Sequence, residues 1–163
     1  MTNSTLTIPS TPGECDQGDK TIVELTSESL DCAQILELVR DPTAGAVGTF
    51  IGTTRNTFDG KAVISLRYEG YTAMAKKHIQ RLVSQARERW QLRHVAVVHK
   101  LGDCPAGEIS VVIAVSSTHR RDALEAVPFL IDQLKASVPI WKKELLEDGS
   151  GHWKANKESV LPQ

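Results

Sequence analysis

The sequence predicts an α+β fold in which an antiparallel sheet built from hairpins carries helices packed on one side. Several short segments are rich in valine and isoleucine and are bounded by turn residues, which is typical of strands. Three longer segments repeat apolar residues at helical spacing. The predicted order is helix, hairpin, helix, hairpin, helix, and the sequence contains no repeat of solenoid length.

The length and composition indicate one ordinary domain. The chain has 163 residues, of which 40% are hydrophobic, and this is enough for a substantial core. Residues 1–20 are rich in Ser, Thr, Pro and Gly, which predicts a disordered N-terminal tail. The single domain is therefore expected at residues 21–163.

The charge and hydropathy of the chain argue against two classes of partner. The formal net charge of -1 provides no global positive field for nucleic acid or an anionic membrane. No apolar run is long enough to cross a membrane, and the first residues lack the apolar core of a signal peptide. We therefore expect a cytoplasmic protein that binds neither nucleic acid nor membranes.

The first half of the chain contains one predicted helix and one predicted hairpin. Residues 29–39 place apolar side chains at helical spacing after Ser29, a possible N-cap. The apolar run at 44–53 and the alternating pattern at 62–68 predict two strands. The Asp59-Gly60 turn signal between them predicts that these strands pair as an antiparallel hairpin.

The second half repeats this arrangement with longer elements. Residues 72–90 form an amphipathic pattern that predicts a long helix. The Val- and Ile-rich runs at 95–101 and 108–116 are joined by a Gly- and Pro-containing turn, which predicts a second hairpin. A third helix is expected to follow residues 118–121 and to end near Ala136.

Two prolines affect the prediction for the third helix. The Val138-Pro139 pair should end it, because the residue before a proline disfavours helical backbone. Pro128 lies inside the predicted helix, where a proline removes one hydrogen bond and costs about 3 kcal/mol. We expect either a kink at Pro128 or a helix that begins later.

Neither the cysteines nor the histidines form a recognisable metal or disulfide pattern. The three cysteines are Cys15, Cys32 and Cys104, an odd number without a CxxC pair, so we expect free thiols. The five histidines show no HExxH or similar spacing. We therefore predict that the chain binds neither a metal ion nor a cofactor.

The segment 134–144 is the strongest candidate for chemistry from the residues themselves. It combines three lysines with Trp141 and the proline that ends the third helix. A lysine held beside apolar residues can act through an altered pKa or through a bound anion. Lys142 could face the same pocket as Lys135 if the chain bends back at Pro139. The alternative is an ordinary helix end with solvated lysines.

His119 and Arg120 form a second candidate site at the predicted start of the third helix. Free N–H groups and the positive end of the helix dipole favour an anion at such a position. An arginine there can bind phosphate with two parallel hydrogen bonds. A merely exposed basic loop is the competing interpretation.

Four motifs, taken together, are similar to those of the large (catalytic) subunits of molybdopterin synthase. They are Gly-Thr-Phe-Ile-Gly-Thr-Thr-Arg-Asn at 48–56, Thr-His-Arg-Arg at 118–121, Leu-Lys-Ala-Ser-Val-Pro-Ile-Trp-Lys-Lys-Glu at 134–144 and His-Trp-Lys-Ala-Asn-Lys-Glu at 152–158. The resemblance runs from about residue 44 to residue 158, in the same order and with the same separations. It implies an α/β-hammerhead-like fold.

The resemblance also implies an activity and partners. Members of this family are sulfur transferases of molybdenum cofactor biosynthesis that convert cyclic pyranopterin monophosphate (precursor Z) into molybdopterin. The sulfur arrives as a thiocarboxylate on the C-terminal Gly-Gly of a small ubiquitin-like subunit. Two large subunits form a central homodimer with one small subunit at each end, giving a heterotetramer.

The same resemblance assigns roles to individual residues. Lys135 and Lys142 correspond to the pair that the family uses for catalysis, with Lys135 as the primary residue. The implied substrate-binding residues are His119, Arg120, Lys135, Lys142, Lys143, Glu144 and Arg55. The resemblance leaves open how proton transfer is divided between the two lysines, the order of the two sulfur transfers, and whose pocket the C-terminal segment completes.

Two other functions are compatible with the residues alone. A non-catalytic module could bind a phosphorylated small molecule through His119 and Arg120 and leave the lysines as solvated charges. A Schiff-base enzyme could use Lys135, but the sequence shows no signature of a carbonyl-substrate pocket. The segment 151–158 could close over a site, dock on a partner or form a disordered end.

Overall fold

The computed structural model describes residues 18–147 and 149–155 of the chain. Within these ranges the helices are α1 (Cys32–Glu37), α2 (Thr72–Arg89) and α3 (Arg120–Ser137). The strands of the same ranges are β1 (Thr21–Thr26), β2 (Ala46–Thr53), β3 (Thr57–Phe58), β4 (Lys61–Gly70), β5 (Leu92–Lys100), β6 (Gly102–Pro105), β7 (Ile109–Ser117), β8 (Ile140–Leu146) and β9 (Gly151–Ala155). The predicted α+β class is confirmed.

The described strands form two sheets. The first sheet has four strands in the order β1-β5-β7-β2, and the second has the order β3-β4-β8-β9 with β6 also paired to β4. The pairs are antiparallel except for β1 and β5, which run parallel. The first sheet is therefore mixed, whereas a purely antiparallel sheet was predicted.

One of the two predicted hairpins is confirmed and the other is wrong. β5 and β7 pair as predicted, with Val97 opposite Ile113. β2 and β4, however, belong to different sheets, because β2 pairs with β7 and β4 pairs with β8. The Asp59-Gly60 turn does form, with positive φ at both residues, but it joins the short strand β3 to β4. Turn chemistry is local and does not determine the partner of a long strand.

The first sheet is covered on both faces. On one face Val95, Val97, Ile113 and Val115 pack in a core with residues of α2 and α3. The alternate residues Ala96, Val98, Val112 and Ala114 form a second core with α1. The prediction that helices lie on one side holds for α2 and α3 only. Strands β5 and β7 are apolar on both faces, so the face opposite α2 and α3 must also be covered by packed side chains, and α1 supplies them.

The helix boundaries agree with the predictions for α2 and differ for α1. α2 was predicted at 72–90 and ends one residue earlier. α1 begins after Asp31 rather than Ser29, because the Asp31 carboxylate accepts hydrogen bonds from the backbone N–H groups of Ala33 (2.9 Å) and Gln34 (3.2 Å).

α3 passes continuously through Pro128, so it does not begin after this proline. Pro128 and Leu124 are exposed. The carbonyl of Leu124, which loses its usual helical partner, therefore lies on the solvent side where water can bind it. The helix ends as predicted at Val138, whose N–H donates to the carbonyl of Leu134 at 3.1 Å.

The segment after α3 forms a strand that the sequence analysis did not predict. β8 begins at Ile140 and pairs with β4 on one side and β9 on the other. The segment 151–158, predicted as a closing, docking or disordered tail, is a strand as far as Ala155. Residues 156–163 and most of the predicted N-terminal tail lie outside the described residues. No helix within the described ranges is long and apolar enough to cross a membrane.

Gly48 allows α3 to pack closely on β2. A Cβ atom at this position would lie 2.7 Å from the carbonyl oxygen of Ala123 in α3. We expect Gly48→Ala to lower the free energy of unfolding by about 1–3 kcal/mol, because the helix must move away. Urea denaturation measures this change. Gly18→Ala is the control, since a Cβ there has no atom within 4 Å, and an equal loss in both variants would contradict the prediction.

Candidate active site

A cavity of about 390 Å³ opens where the C-terminal end of α3 meets both sheets. Residues of β2, β3, β4, β5, β7 and β8, together with Arg55 in the loop after β2, complete its wall. Four of the predicted site residues line it: Arg55, Lys135, Lys142 and Glu144. Three separate parts of the chain therefore bring charged side chains to one cavity.

Lys135 reaches the cavity because the apolar face of α3 fixes the last helical turn. Its neighbour Leu134 is only 2% exposed and belongs to the main core, and Leu134 and Ile131 also line the cavity. Lys135 itself is half-buried. Its aliphatic stem can cover apolar surface while the ammonium group faces the cavity.

Side chains alternate between the two faces of β8, so the middle residue of the Lys-Lys-Glu motif points away from the other two. Lys142 and Glu144 lie on the cavity side, opposite Tyr68 and Leu66 of β4. Lys143 points to the other face, where its Nζ lies 5.9 Å from the ring centroid of Trp153. The structure thus brings Lys142 and Glu144 to the cavity and places Lys143 outside it.

Glu144 is a buried acid among the cations of the cavity. Its exposure is only 6%. A buried carboxylate requires compensation by hydrogen-bond donors or positive charge. Lys142, two residues earlier on the same face of the strand, and the other cations of the cavity supply positive charge in this region.

The loop that carries Arg55 is held by the turn that precedes β7. The Thr54 N–H donates to the carbonyl of Glu108 at 2.9 Å, and the Gly107 N–H donates to the carbonyl of Thr54 at 2.8 Å. The Thr54 hydroxyl donates to Cys104 Sγ at 3.2 Å. Burial raises the pKa of the Cys104 thiol, which favours its protonated form in this anchoring role.

His119 and Arg120 lie at the opposite end of α3 from the cavity. Both are exposed and line a shallow recess that also includes Gly45 and Thr118. Lys135 lies fifteen positions after Arg120, which corresponds to about 22 Å along the helix axis. Within one copy of the chain, the predicted phosphate-binding pair is therefore remote from the two lysines.

Residues 25–137, more than half of the chain, match the family model described as MoaE protein. The chain belongs to the MoaE family. A relative named molybdopterin synthase catalytic subunit, from Bos taurus, is 52% identical over 145 residues, which cover 89% of this chain and 77% of the relative. This match covers a larger part of the chain than the family model, which is limited to residues 25–137. The predicted family and the predicted enzyme class are confirmed.

Solved structures share the fold of this chain. The crystal structure of molybdopterin synthase from Staphylococcus aureus has a TM-score of 0.74 and 34% identity, and the match covers 83% of this chain and 96% of that chain. A complex of subunits 1 and 2 of molybdopterin-converting factor from Helicobacter pylori has a TM-score of 0.65 at 23% identity, with 87% and 93% covered. The latter likeness establishes the fold alone.

The described part of this MoaE-family chain contains no group of three His, Cys, Asp or Glu side chains that could hold a metal ion. Of the cysteines in that part, Cys32 is half-exposed and Cys104 is buried, and both are free thiols. Neither of the two lines the cavity. The absence of a bound metal or cofactor stays a prediction.

Three polar residues at the base of the cavity received no role from the sequence: Tyr68, His99 and Ser110. The rings of Tyr68 and His99 meet edge to face, with centroids 4.9 Å apart. One feature of the sequence could have identified His99: it and Lys100 directly follow a run of apolar residues in β5. Ionisable residues are seldom buried in such strands without a partner, so their presence there indicates a special role.

Burial determines the protonation of this pair. It lowers the pKa of His99 to about 4, although the contact with the Lys100 carbonyl opposes this shift. Burial also raises the pKa of Tyr68, and a hydrogen bond with Ser110 acts in the opposite direction. At neutral pH both side chains are uncharged, in contrast to the cations above them.

The neutral His99 should make stability depend on pH. Its pKa of about 4 in the folded protein lies below the ordinary value of 6.5, so the unfolded chain binds more protons between these values. The stability due to this residue is present above pH 6.5 and is lost as the pH falls toward 4. We expect a loss on the order of 3 kcal/mol from this residue.

Urea denaturation at several pH values measures this dependence. His99→Asn removes the titrating group, so its free energy of unfolding should fall less steeply between pH 6.5 and 4 than that of the wild type. Carboxylates titrate in both proteins, so their contribution to the pH dependence cancels when the variant is compared with the wild type. Equal slopes would show that His99 is not buried in its neutral form.

Proposed function

We propose that this chain converts cyclic pyranopterin monophosphate into molybdopterin by transferring sulfur from the thiocarboxylated C-terminus of a small ubiquitin-like subunit. The observation that carries the proposal is the convergence of Lys135 and Lys142 on one cavity, with Arg55 and Glu144 in its wall. A helix end with solvated lysines would not bring together residues from α3, β8 and the loop after β2. The names of the relatives support the same activity.

The two lysines are suited to different parts of the reaction. We assign to Lys135 proton transfer or electrostatic assistance as the thiocarboxylate sulfur attacks the pterin side chain and forms a carbon–sulfur bond. Water then hydrolyses the acyl–sulfur bond, which leaves the sulfur on the pterin and a carboxylate at the C-terminus of the small subunit. Lys142 then assists and stabilises the developing oxyanion, because an ammonium group in a partly buried site acts strongly on nearby negative charge. Glu144 and Arg55 are assigned to substrate positioning.

The source of sulfur is proposed to be the partner rather than this chain. The described cysteines, Cys32 and Cys104, do not line the cavity. A C-terminal Gly-Gly segment has no side chains and is slender enough to enter an enclosed site. The free thiols fit a reducing compartment, and we place the reaction in the cytoplasm.

We propose that a second copy of the chain contributes His119 and Arg120 to the site. The pair lies about 22 Å along α3 from Lys135, so one copy cannot place both groups on the same small substrate. A two-fold dimer can bring the start of α3 in one protomer to the cavity of its partner. Lys143, on the outer face of β8, would contact substrate only by a similar approach from outside the cavity.

Lys135→Ala should reduce molybdopterin formation by at least about a hundredfold, because the variant loses the principal proton-transfer group. The assay combines purified protein with thiocarboxylated small subunit and precursor. Lys77→Ala is the matched control, since Lys77 is exposed on α2 and lies outside the cavity. Circular dichroism and binding of the small subunit establish that both variants are folded.

Near-wild-type turnover by Lys135→Ala would contradict the assignment of this lysine. The alternative function, a non-catalytic phosphate-ligand module, predicts another result. In that case the phosphorylated ligand would bind equally well to wild type and to Lys135→Ala, and neither protein would form product with the small subunit.

A mixture of two inactive variants tests the shared site. Lys135→Ala and Arg120→Ala should each be inactive alone, but random mixed dimers restore one intact site in half of the dimers. We therefore expect about a quarter of wild-type activity after the two are unfolded and refolded together. Activity no higher than that of the separate variants would show that each site is built from one copy.

A further inference from the structure

His99 lies at the base of the cavity and is not used by the mechanism proposed above. It is 2% exposed, and it lines the cavity beside Tyr68 and Ser110. Tyr68 in turn stands opposite Lys142 across the β4–β8 pair. His99 is therefore placed where a buried polar group meets the space that holds the substrate.

The hydrogen bonding of His99 defines its tautomer. The Nδ1 atom lies 2.7 Å from the backbone carbonyl oxygen of Lys100. A carbonyl can only accept a hydrogen bond, so Nδ1 carries the hydrogen. Because the buried ring is neutral near pH 7, Nε2 carries no hydrogen and presents a lone pair.

The Nε2 atom is open to the cavity. Within the described residues it has no hydrogen-bond partner, since His99 makes its single polar contact through Nδ1. In the same part of the chain, no fully buried side-chain nitrogen or oxygen lacks a partner. The Nε2 atom is therefore not enclosed in the core, and the cavity is the space that the ring lines.

His94 of the same strand provides a contrast. Its Nδ1 accepts a hydrogen bond from the Lys20 N–H at 3.0 Å, and its Nε2 lies 3.1 Å from Asp41 Oδ2. Both nitrogens are thus occupied by the protein, and His94 does not line the cavity. His94 therefore has no open nitrogen, whereas His99 has one.

The other polar groups of the cavity explain why such an acceptor is useful. Arg55, Lys135 and Lys142 can only donate hydrogen bonds, and they suit phosphate and other anions. The carboxyl group of Glu144 can accept hydrogen bonds, but it lies on the same strand face as Lys142. A pterin also carries uncharged N–H groups, which need an acceptor when they leave water. The neutral imidazole of His99 can accept such a bond, and because it is uncharged, no further charge has to be buried.

We propose that His99 orients the substrate by accepting, through Nε2, a hydrogen bond from an uncharged N–H or O–H group of the pterin heterocycle. This inference rests on the proposed function, because it assumes that a pterin phosphate occupies the cavity. The cations then hold the anionic part of the molecule, and His99 determines which edge of the heterocycle faces the base of the cavity.

Three variants test the inference in the purified complex with thiocarboxylated small subunit. His99→Asn keeps a donor close to the Nδ1 position for the Lys100 carbonyl and removes the acceptor. We expect it to raise KM for the precursor about tenfold, the effect of one lost hydrogen bond, with a smaller change in kcat. His99→Gln supplies an acceptor near the Nε2 position and should restore most of the affinity. His94→Asn, the same change outside the cavity, should leave KM unchanged.

Equilibrium binding separates orientation from general damage to the site. Titration calorimetry compares the precursor with inorganic phosphate, which lacks the heterocycle. His99→Asn should bind the precursor about tenfold more weakly and phosphate as well as the wild type does. If circular dichroism shows that His99→Asn is not folded, His99→Phe, which keeps a planar ring beside Tyr68, replaces it in the same comparison.

The inference is overturned by a wild-type KM in the folded variant, by equal weakening of precursor and phosphate, or by the same loss in His94→Asn. These outcomes differ from a failure of the proposed function. If the wild-type complex binds the precursor but forms no molybdopterin, the proposed reaction is wrong and the binding comparison still tests His99. If the wild type does not bind the precursor, both proposals are wrong.

Discussion

α3 passes directly into β8, and this connection ties the first sheet to the second. α3 ends at Ser137 and β8 begins at Ile140, so Val138 and Pro139 alone connect a helix on the first sheet to a strand of the second. Val138 already has extended backbone, as the following proline requires. This short link leaves little freedom in the relative position of the two sheets, and the cavity forms at their junction.

The same junction explains why charged groups can gather there. The apolar face of α3 packs into the main core, and a close approach at Gly48 holds the helix against β2. Lys135 is thereby carried to the cavity by a helix that is stabilised elsewhere, and the alternation of β8 brings Lys142 and Glu144 to the same space. Packing energy from the core thus offsets the cost of placing several cations around one cavity.

The cavity combines two electrostatic environments. Near its wall, Arg55 and the two lysines provide positive charge for an anionic ligand, balanced in part by Glu144. At its base, Tyr68 and His99 are uncharged, because burial disfavours the ionised form of each. Such a division suits a substrate with an anionic part and a neutral heterocycle.

Features that depend on local pattern could be predicted from the sequence: the α+β class, the span of α2, the β5–β7 hairpin and the end of α3 at Val138. The family could also be predicted, because each of its motifs is one continuous segment of the chain. Contacts between distant parts of the chain establish that β2 and β4 join different sheets and that Lys143 faces away from the cavity. Strand partners, burial and the protonation of His99 arise from contacts between residues far apart in the chain, and hydrophobic periodicity carries no information about such contacts.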